Sequence, residues 1–333
     1  MVPTLAVVSI VVFAIVQLPP GDFATVYQAE LEEEGSASAA AQIQELRSTF
    51  HLDDTPVVQY LRWSGLYWFT SFRDRDTGLL EGNLGRSMEF NLPVATVVGD
   101  RIALTVVVSL ATILLTWTIA IPIGIYSAVR QYSIGDYALT LLGFLGMSVP
   151  GFLLALVLMF LAHRWFGLSV SGLFSPAYET VSGWSWPKIL DLLKHIWVPV
   201  VVLGLGGTAG MIRVMRANLL DELRKPYVTA ARARGVPAVR LLLRYPVRLA
   251  LNPFVSGVGG LFPELMSGGA IVAIVLSLPM IGPVLFTALL SEDVQLAASM
   301  LLVMSFLGIA GTLISDLLLM ALDPRIRLQG ASG

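Results

Sequence analysis

The chain has 333 residues, of which 56% are hydrophobic and only 13% are charged, and its mean hydropathy is +0.77. Soluble chains carry about 25% charged residues, so this composition excludes an ordinary soluble protein and predicts contact with lipid. The net charge of −2 offers no basic field for nucleic acid, and the absence of cysteine excludes disulfides, thiolate metal sites and a cysteine nucleophile.

Six apolar segments are long enough to be candidates for spanning a bilayer, which takes roughly 20 residues of helix. In chain order they are 2–18, 102–129, 137–162, 196–212, 249–278 and 296–322. The first lacks the basic start and the small-residue cleavage site of a signal peptide, so we expect a retained helix. The fifth is interrupted by Pro253, Pro263 and Glu264. We therefore predict an all-α polytopic membrane protein with six transmembrane helices.

Lys and Arg in the short loops set the orientation of such a protein, because cytoplasmic loops are enriched in them. With the N-terminus inside, the inner segments hold most of these residues, namely Arg130, the basic residues of 213–248, Arg325 and Arg327. The outer short loops hold only Arg164, Lys188 and Lys194. Both termini are therefore predicted to be cytoplasmic. Residues 1–18 form the first helix, 19–100 an outer cap region and 101–333 the transmembrane domain.

The inner segment 213–248 is the most basic part of the chain. Pro226 can begin a helix, and Gly235 followed by Pro237 can end one, so we predict a short helix over Tyr227–Arg234. A second, amphipathic helix is predicted over Val239–Arg248. The simplest interpretation is a basic loop on anionic headgroups. The small residues Ala230, Ala231 and Gly235 instead favour a compact element that allows close approach by a cytoplasmic protein.

These residues resemble the EAA-motif loop in the membrane subunits of bacterial ABC importers, in the branch that carries dipeptides, oligopeptides, nickel and some oligosaccharides. The matching pieces run along most of the chain: Pro20-Gly21-Asp22, Leu52-Asp53 with Pro56 and Gln59-Tyr60, Gly82-Asn83-Leu84-Gly85 with Ser87, Ser148-Val149-Pro150 with Phe152, Tyr227-Val228 with Ala231 to Gly235, Arg248 with Ala250-Leu251 and Pro253, Ser277-Leu278-Pro279 with Gly282, and Asp323-Pro324-Arg325-Ile326-Arg327. Each piece is weak alone, whereas their common order and spacing is specific.

The chain departs from the pattern at several positions. Thr229 stands where the EAA consensus has Glu, Asn83 replaces an Asp, and Ala273 occupies a position where many members carry Glu. Tyr245 and Leu249 replace a usual His and Asn. These differences bear on the substrate rather than on the family.

The resemblance implies a permease subunit, without an ATPase of its own, in a bacterial inner membrane. It implies two cytoplasmic ATPase subunits that bind ATP and Mg, so that this chain needs no cofactor. It also implies a second homologous permease and a solute-binding protein that docks on 19–100. The helix contacting the ATPases would contain Tyr227, Ala230, Ala231, Arg232, Arg234 and Gly235. The solute would cross near Glu264, Ser148 and Pro150. A di- or oligopeptide is the expected solute, with oligosaccharides and metal complexes as alternatives.

Other classes of function are less well supported by the residues. A phosphate-binding loop needs Gly-Lys, and none of Lys188, Lys194 and Lys225 follows a glycine. The glycine-rich stretch 204–210 is predicted to serve helix packing. An ion-coupled carrier could use Glu264 and Asp316, which lie within predicted spans. An intramembrane enzyme has little basis, because His51, His163 and His195 are scattered.

Overall fold

The computed structural model describes residues 2–33, 38–72, 77–167, 171–179, 181 and 183–322. The predicted Asp323–Arg327 motif, with its two arginines, lies outside the described residues. Regular structure in the described part is helical, apart from one isolated bridge between Arg86 and Pro93. The first nine helices are α1 (Val2–Val16), α2 (Phe23–Glu33), α3 (Ala39–Phe50), α4 (Pro56–Ser64), α5 (Trp68–Ser71), α6 (Val94–Val129), α7 (Ile134–Ser148), α8 (Gly151–Phe166) and α9 (Pro176–Glu179).

The next nine helices are α10 (Trp186–His195), α11 (Trp197–Leu223), α12 (Pro226–Ala233), α13 (Ala238–Arg244), α14 (Pro246–Ala250), α15 (Asn252–Gly268), α16 (Ala270–Val275), α17 (Ile281–Leu290) and α18 (Val294–Leu322). By length and hydropathy, α6, α11 and α18 could each cross a membrane. The consecutive helices α7 and α8 would make a fourth crossing if they act as one span, and α1 and α17 are shorter apolar helices.

The predicted third span, 137–162, is not a continuous helix. Helices α7 and α8 meet at an angle of 96°, with Val149 in an extended conformation. The proline at 150 causes this break, because its ring disfavours helical geometry at the preceding residue. The fifth predicted span, 249–278, is also broken. The break lies at Gly269, between α15 and α16, and not at Pro253 or Pro263. Helix α15 begins at Asn252, continues through Pro263 and Glu264, and ends at Gly268.

The chain divides into two compact units. The first unit comprises Met1–Thr105 and Met280–Leu307, and the second unit comprises Val106–Pro279 and Gly308–Gly333. This division differs in kind from the predicted segments 1–18, 19–100 and 101–333, which sort the chain by side of the membrane and remain a prediction.

The first unit is held together by aromatic packing and by directed hydrogen bonds. Phe13, Trp63 and Ala298 form one buried cluster, in which the Phe13 and Trp63 ring centroids lie 5.2 Å apart. The Trp63 indole Nε1 donates to Ser299 Oγ at 2.9 Å, and Ser299 Oγ donates in turn to the Leu84 carbonyl at 2.8 Å. A buried indole nitrogen needs such a partner, so these bonds fix the register between distant parts of the chain.

The second unit is built around α11, which packs against α7, α8 and α14. Its apolar core contains Met215, Leu219 and Phe254, all fully buried. Small residues allow the helices to approach closely, since a Cβ placed on Gly143 would lie 3.2 Å from Ala209 Cβ. Close backbone approach of this kind is typical of helices that associate in lipid.

Candidate functional site

The short helix predicted in the basic segment is present as α12. Lys225 precedes it in an extended conformation, Pro226 occupies its first turn, and it ends at Ala233. Gly235 follows with a φ of +75°, in the left-handed region that favours glycine. The Gly235 N–H donates to the Arg232 carbonyl at 3.0 Å, and the Val236 N–H to Ala231 at 3.3 Å. The start and stop signals read from the sequence are confirmed to within one residue.

A single carboxylate braces α12 against the end of α11. Glu222, in the last turn of α11, accepts a hydrogen bond from the Tyr227 hydroxyl at 2.6 Å and pairs with the Lys225 ammonium. The Glu222 side chain is only 14% exposed, whereas Lys225 is 51% exposed. Val228, one residue after Tyr227, is 1% exposed and anchors the buried face of the helix. Sequence reasoning missed Glu222, although its place five residues before Tyr227 was visible.

The remaining face of α12 is exposed within the part of the chain that the structure describes. Ala230, Arg232 and Arg234 are exposed, as is Gly235, while Ala231 and Tyr227 are half-buried. A short rigid helix with an exposed alanine beside two guanidinium groups can enter a groove closely and pair with acids or backbone carbonyls there.

The predicted second amphipathic helix is wrong as a continuous element. Residues 238–244 form α13, and Pro246 starts α14 after a distorted Tyr245 (φ −116°, ψ −78°). Arg248 therefore lies on a different helix from Arg240 and Arg244. Its guanidinium donates to the Leu322 and Ala321 carbonyls at 2.7 and 3.2 Å. A cation at the C-terminal end of a helix stabilises the free carbonyls there.

An open cleft of about 890 Å³ lies within the second unit. Residues of α6, α8, α11, α15 and α16 line it, and Glu264 and Arg213 are its charged residues among those described. Trp117 also lines the cleft, and its indole N–H has no acceptor among the described residues. Glu264 lies on the wall of this cleft, and its part in the solute path remains a prediction.

The other two predicted pathway residues lie beside this cleft rather than on its wall. Ser148 and Pro150 are exposed at the bend between α7 and α8, and the Ser148 hydroxyl donates to the Leu145 carbonyl at 2.9 Å. Gly151, which begins α8, does line the cleft.

The glycine-rich stretch only partly serves packing, so that prediction needs correction. Gly204 does pack, because its carbonyl accepts bonds from Thr116 Oγ1 at 3.3 Å and Thr208 Oγ1 at 2.7 Å. Gly206, Gly207 and Gly210 instead line the cleft, and a Cβ on any of them would meet nothing within 4 Å. Because glycine has no side chain, these three positions leave room in the cleft.

A buried ion pair fixes α7 to α11. Asp136 is 3% exposed and its Oδ2 lies 3.1 Å from Arg216 Nη2. The same oxygen accepts the Tyr132 N–H at 3.0 Å. Arg216 lies among the last cleft residues of α11, before Ala217 and six residues before Glu222, so the pair fixes the part of α11 where the cleft ends. The sequence analysis had counted Arg216 only as one more cation of the inner segment.

Two carboxylates outside the candidate spans have pKa values shifted in opposite directions. Burial raises the pKa of Asp293, and hydrogen bonds from Ser87 and three backbone N–H groups offset this only partly. Burial also acts to raise the pKa of Asp191, but there the bonds from Ser175 and the charges of His195 and Lys194 are stronger, and the pKa is lowered. Each carboxylate fixes a turn to a helix.

Comparison with known proteins decides the family. Residues 120–328 match the inner membrane components of binding-protein-dependent transport systems. The chain belongs to this family. A Brucella ovis protein whose name describes a peptide permease is 30% identical over 97% of this chain and 95% of its own. The oligopeptide transport system permease protein AppB of Bacillus subtilis is 28% identical, over 98% of this chain and 96% of its own.

Family membership makes this permease a bacterial inner-membrane protein that works with a binding protein, as its sequence motifs implied. The matched residues 120–328 contain the cleft, α11 and α12. The relatives also align with the N-terminal region before residue 120, because they cover nearly the whole chain. The N-terminal part of the first unit is therefore shared with these relatives.

Proposed function

We propose that this chain is a permease subunit of an ATP-driven importer of di- or oligopeptides and that α12 is the coupling helix on which an ATPase subunit acts. The observation that carries the proposal is the geometry of α12. It is braced to α11 by Glu222, buried through Val228, and exposed at Ala230, Arg232 and Arg234. The peptide class comes from relatives named as peptide and oligopeptide permeases.

In this proposal the six predicted spans cross the membrane, with α7–α8 and α15–α16 as broken crossings and both termini in the cytoplasm. Two ATPase subunits bind ATP and Mg beneath this chain and a second homologous permease. A binding protein delivers the solute to the outer cap, residues 19–100. ATP-driven closure of the ATPases moves α12, and the brace at Glu222 passes that movement to α11 as a rigid body.

The solute path runs through the cleft in the second unit. Glu264 and Arg213 supply charge of both signs to its wall, and the side-chain-free surface of Gly206, Gly207 and Gly210 gives it width. Ser148 and Pro150 act at the bend that brings Gly151 to the same cleft. Helix α11 contributes to the cleft and leads directly to α12, so a displacement of α12 changes the cleft.

The test is a substitution on the exposed face of α12. Ala230→Arg places a long cation where a groove would have to accept a methyl group, and it disturbs no packing within the chain because Ala230 is exposed. We expect peptide uptake to fall at least tenfold, with normal insertion in the membrane. The matched control is Ala177→Arg, the same change at an exposed alanine of α9, outside the region proposed to receive the binding protein. Normal uptake with Ala230→Arg would contradict the coupling role.

Two further changes separate docking from backbone geometry. Ala231→Arg should also abolish uptake, although Ala231 is half-buried and its loss can disturb α12 itself. A Cβ at Gly235 would meet no atom within 4 Å, so a loss of uptake with Gly235→Ala would come from the strained left-handed backbone or from the partner, and a bulkier residue should lose at least as much.

The alternative of another class is an ion-coupled carrier that uses Glu264 and Asp316. The observation that favours it is Glu264 on the cleft wall. The two mechanisms separate in proteoliposomes: an importer requires ATP inside and tolerates a protonophore, whereas an ion-coupled carrier stops with the protonophore and ignores ATP. Competition of labelled peptide uptake by oligosaccharides or metal complexes tests the remaining solute classes.

A further inference from the structure

A second cavity lies in the first unit, and the proposed transport mechanism does not use it. Its volume is about 440 Å³, within the range of small-molecule sites. Two of the sequence motifs converge on it. Leu52 and Gln59 come from the first, and Asn83 and Gly85 from the second, with Arg86 between the motif residues Gly85 and Ser87.

Arg86 is held in a fixed orientation at this cavity. Its Nε and Nη2 donate to Asn91 Oδ1 at 3.1 and 2.7 Å, and Nη2 also donates to the Asn91 carbonyl at 3.0 Å. The Arg86 backbone N–H donates to Gln295 Oε1 at 3.0 Å. These bonds use one edge of the guanidinium group, which has five N–H donors, and no described residue accepts a hydrogen bond from Nη1.

Among the described residues that line the cavity, the charged groups are cationic. Arg62 also lines it, but the Asp54 carboxylate lies 3.0 Å from Arg62 Nε and neutralises it. Arg86 has no acidic partner among the described residues, and none of the described lining residues is Asp or Glu. The lining also includes the aromatic rings of Phe13, Phe50 and Trp63. An oriented guanidinium beside an apolar wall suits a carboxylate attached to a small organic body.

We propose that this cavity binds a small organic carboxylate, namely the C-terminal carboxylate of a short peptide, through Arg86, with Asn91 as the residue that positions the guanidinium group. The peptide identity rests on the proposed function, while the carboxylate chemistry rests on the cavity. A dipeptide extends about 7 Å, a length that a cavity of this volume can hold.

The absence of native cysteine allows a site-specific test on the full chain in detergent. Thr49 lines the cavity and is exposed, whereas its neighbour Ser48 is exposed but is not among the lining residues. We would measure modification of Thr49→Cys by a thiol reagent, with Ser48→Cys as the matched control. Ala-Ala and N-acetyl-Ala-Ala, which both keep the carboxylate, should slow modification at 49. Ala-Ala amide, which lacks the carboxylate, should not slow modification at position 49. None of the three compounds should change the rate of modification at position 48.

Substitutions of Arg86 and Asn91 then test whether Arg86 binds the carboxylate. Arg86→Gln should weaken protection of position 49 at least tenfold, as expected for loss of a charge-assisted bond. Arg86→Lys, which lacks the planar fork, and Asn91→Ala should each weaken it less. Unchanged labelling of Ser48→Cys in these backgrounds verifies that the fold is intact.

Several results would overturn the site: equal protection by Ala-Ala and its amide, protection that survives Arg86→Gln, or no protection by Ala-Ala at millimolar concentration. The first comparison needs no Arg86 variant, so it decides the matter even if Arg86→Gln misfolds. If Ala-Ala protects position 49 but the assembled transporter shows no ATP-driven peptide uptake, that result counts against the proposed function and not against the cavity. Uptake that continues without protection would count against the cavity alone.

Discussion

The two units of this permease are held together by different physical means. In the first unit, directed bonds join distant segments, as where Asp293 accepts from Ser87 Oγ at 2.7 Å and from the Met88 N–H at 2.8 Å. In the second unit, close packing of small residues dominates. A Cβ added to Gly124 would lie 2.5 Å from Met215 Cβ, and one added to Gly259 would lie 2.6 Å from the Thr312 backbone nitrogen.

This difference follows the share of each unit that is expected to lie in lipid: the first unit holds the outer region 19–100 beside the first predicted span and part of the sixth, whereas most of the second unit lies in predicted spans. In lipid the hydrophobic effect gives little drive for helices to associate, so association depends on close contact and requires residues without side chains at the crossing points. The first unit contains many short helices joined by turns, whose backbone groups need partners, and buried carboxylates and hydroxyls supply them. Substitutions should therefore have opposite sensitivities in the two units.

The largest expected effect is at Asp293 in the first unit. Its carboxylate accepts four hydrogen bonds, from Ser87 Oγ and from the N–H groups of Met88, Glu89 and Leu296. Asp293→Ala leaves these donors without a partner in a fully buried site, and should cost about 4 kcal/mol of stability. Asp293→Asn keeps an acceptor oxygen and should cost less than half as much. Thermal unfolding in detergent measures both, and equal losses would contradict the role of the bonds.

The next largest effect separates two adjacent glycines of α15. A Cβ on Gly259 would lie 2.6 Å from the Thr312 nitrogen and 2.7 Å from its Cα, both backbone atoms that cannot move aside alone. Gly259→Ala should therefore destabilise the second unit by about 2 kcal/mol. A Cβ on Gly260 meets nothing within 4 Å, so Gly260→Ala should be neutral or slightly stabilising. Similar unfolding temperatures for the two variants would refute packing as the basis of this unit.

A smaller effect concerns the hydrogen bond from Tyr227 to Glu222, which braces α12 against α11. Tyr227→Phe removes the 2.6 Å bond to Glu222 and should cost about 1 kcal/mol. The expected result is uncoupling, in which the assembled transporter hydrolyses ATP but moves less peptide per ATP. Tyr245→Phe is the control, because Tyr245 is exposed and its hydroxyl has no hydrogen-bond partner among the residues that the structure describes. An unchanged ratio of transport to hydrolysis in Tyr227→Phe would remove Glu222 from the coupling route.

The smallest effect is a pH dependence of opposite sign at two carboxylates. The raised pKa of Asp293 means that its contribution to stability is greatest at low pH and falls as pH rises through the acid range. The lowered pKa of Asp191 means that its contribution is present above the ordinary Asp pKa and is lost as pH falls. As the pH falls from neutral to acid, the unfolding temperature of Asp293→Asn should fall more steeply than that of the unsubstituted chain, and that of Asp191→Asn less steeply. Shifts of the same sign would contradict the two environments.

The sequence predicted most of what depends on local chemistry. Proline and glycine marked both ends of α12, and apolar runs marked α6, α11 and α18. The breaks were harder to predict, because a proline either ends a helix or is tolerated within it. Pro150 bends the chain by 96°, while Pro263 lies inside a continuous helix. Hydropathy alone does not distinguish these outcomes, since they depend on neighbours that re-satisfy the backbone.

Long-range side-chain partners could not be predicted. The Asp293 bonds to Ser87 and Met88 cross more than two hundred residues, and the sequence contains no local signal for them. The ion pair between Asp136 and Arg216 likewise has no local signal in the sequence. The cleft has none either, because the four glycines of 204–210 suggested helix packing although three of them line the cleft. Glu222 is different, because its spacing from Tyr227 was local and could have been recognised.

The most direct test of the central claim is crosslinking from α12. A single cysteine introduced at Ala230, in a chain that has none of its own, is exposed and available to a short thiol-reactive photocrosslinker in native membranes. The account predicts a covalent adduct with an ATPase subunit from Ala230→Cys, and none from Thr49→Cys in the first unit. No ATPase adduct at Ala230→Cys, or equal adducts from both positions, would contradict α12 as the coupling helix.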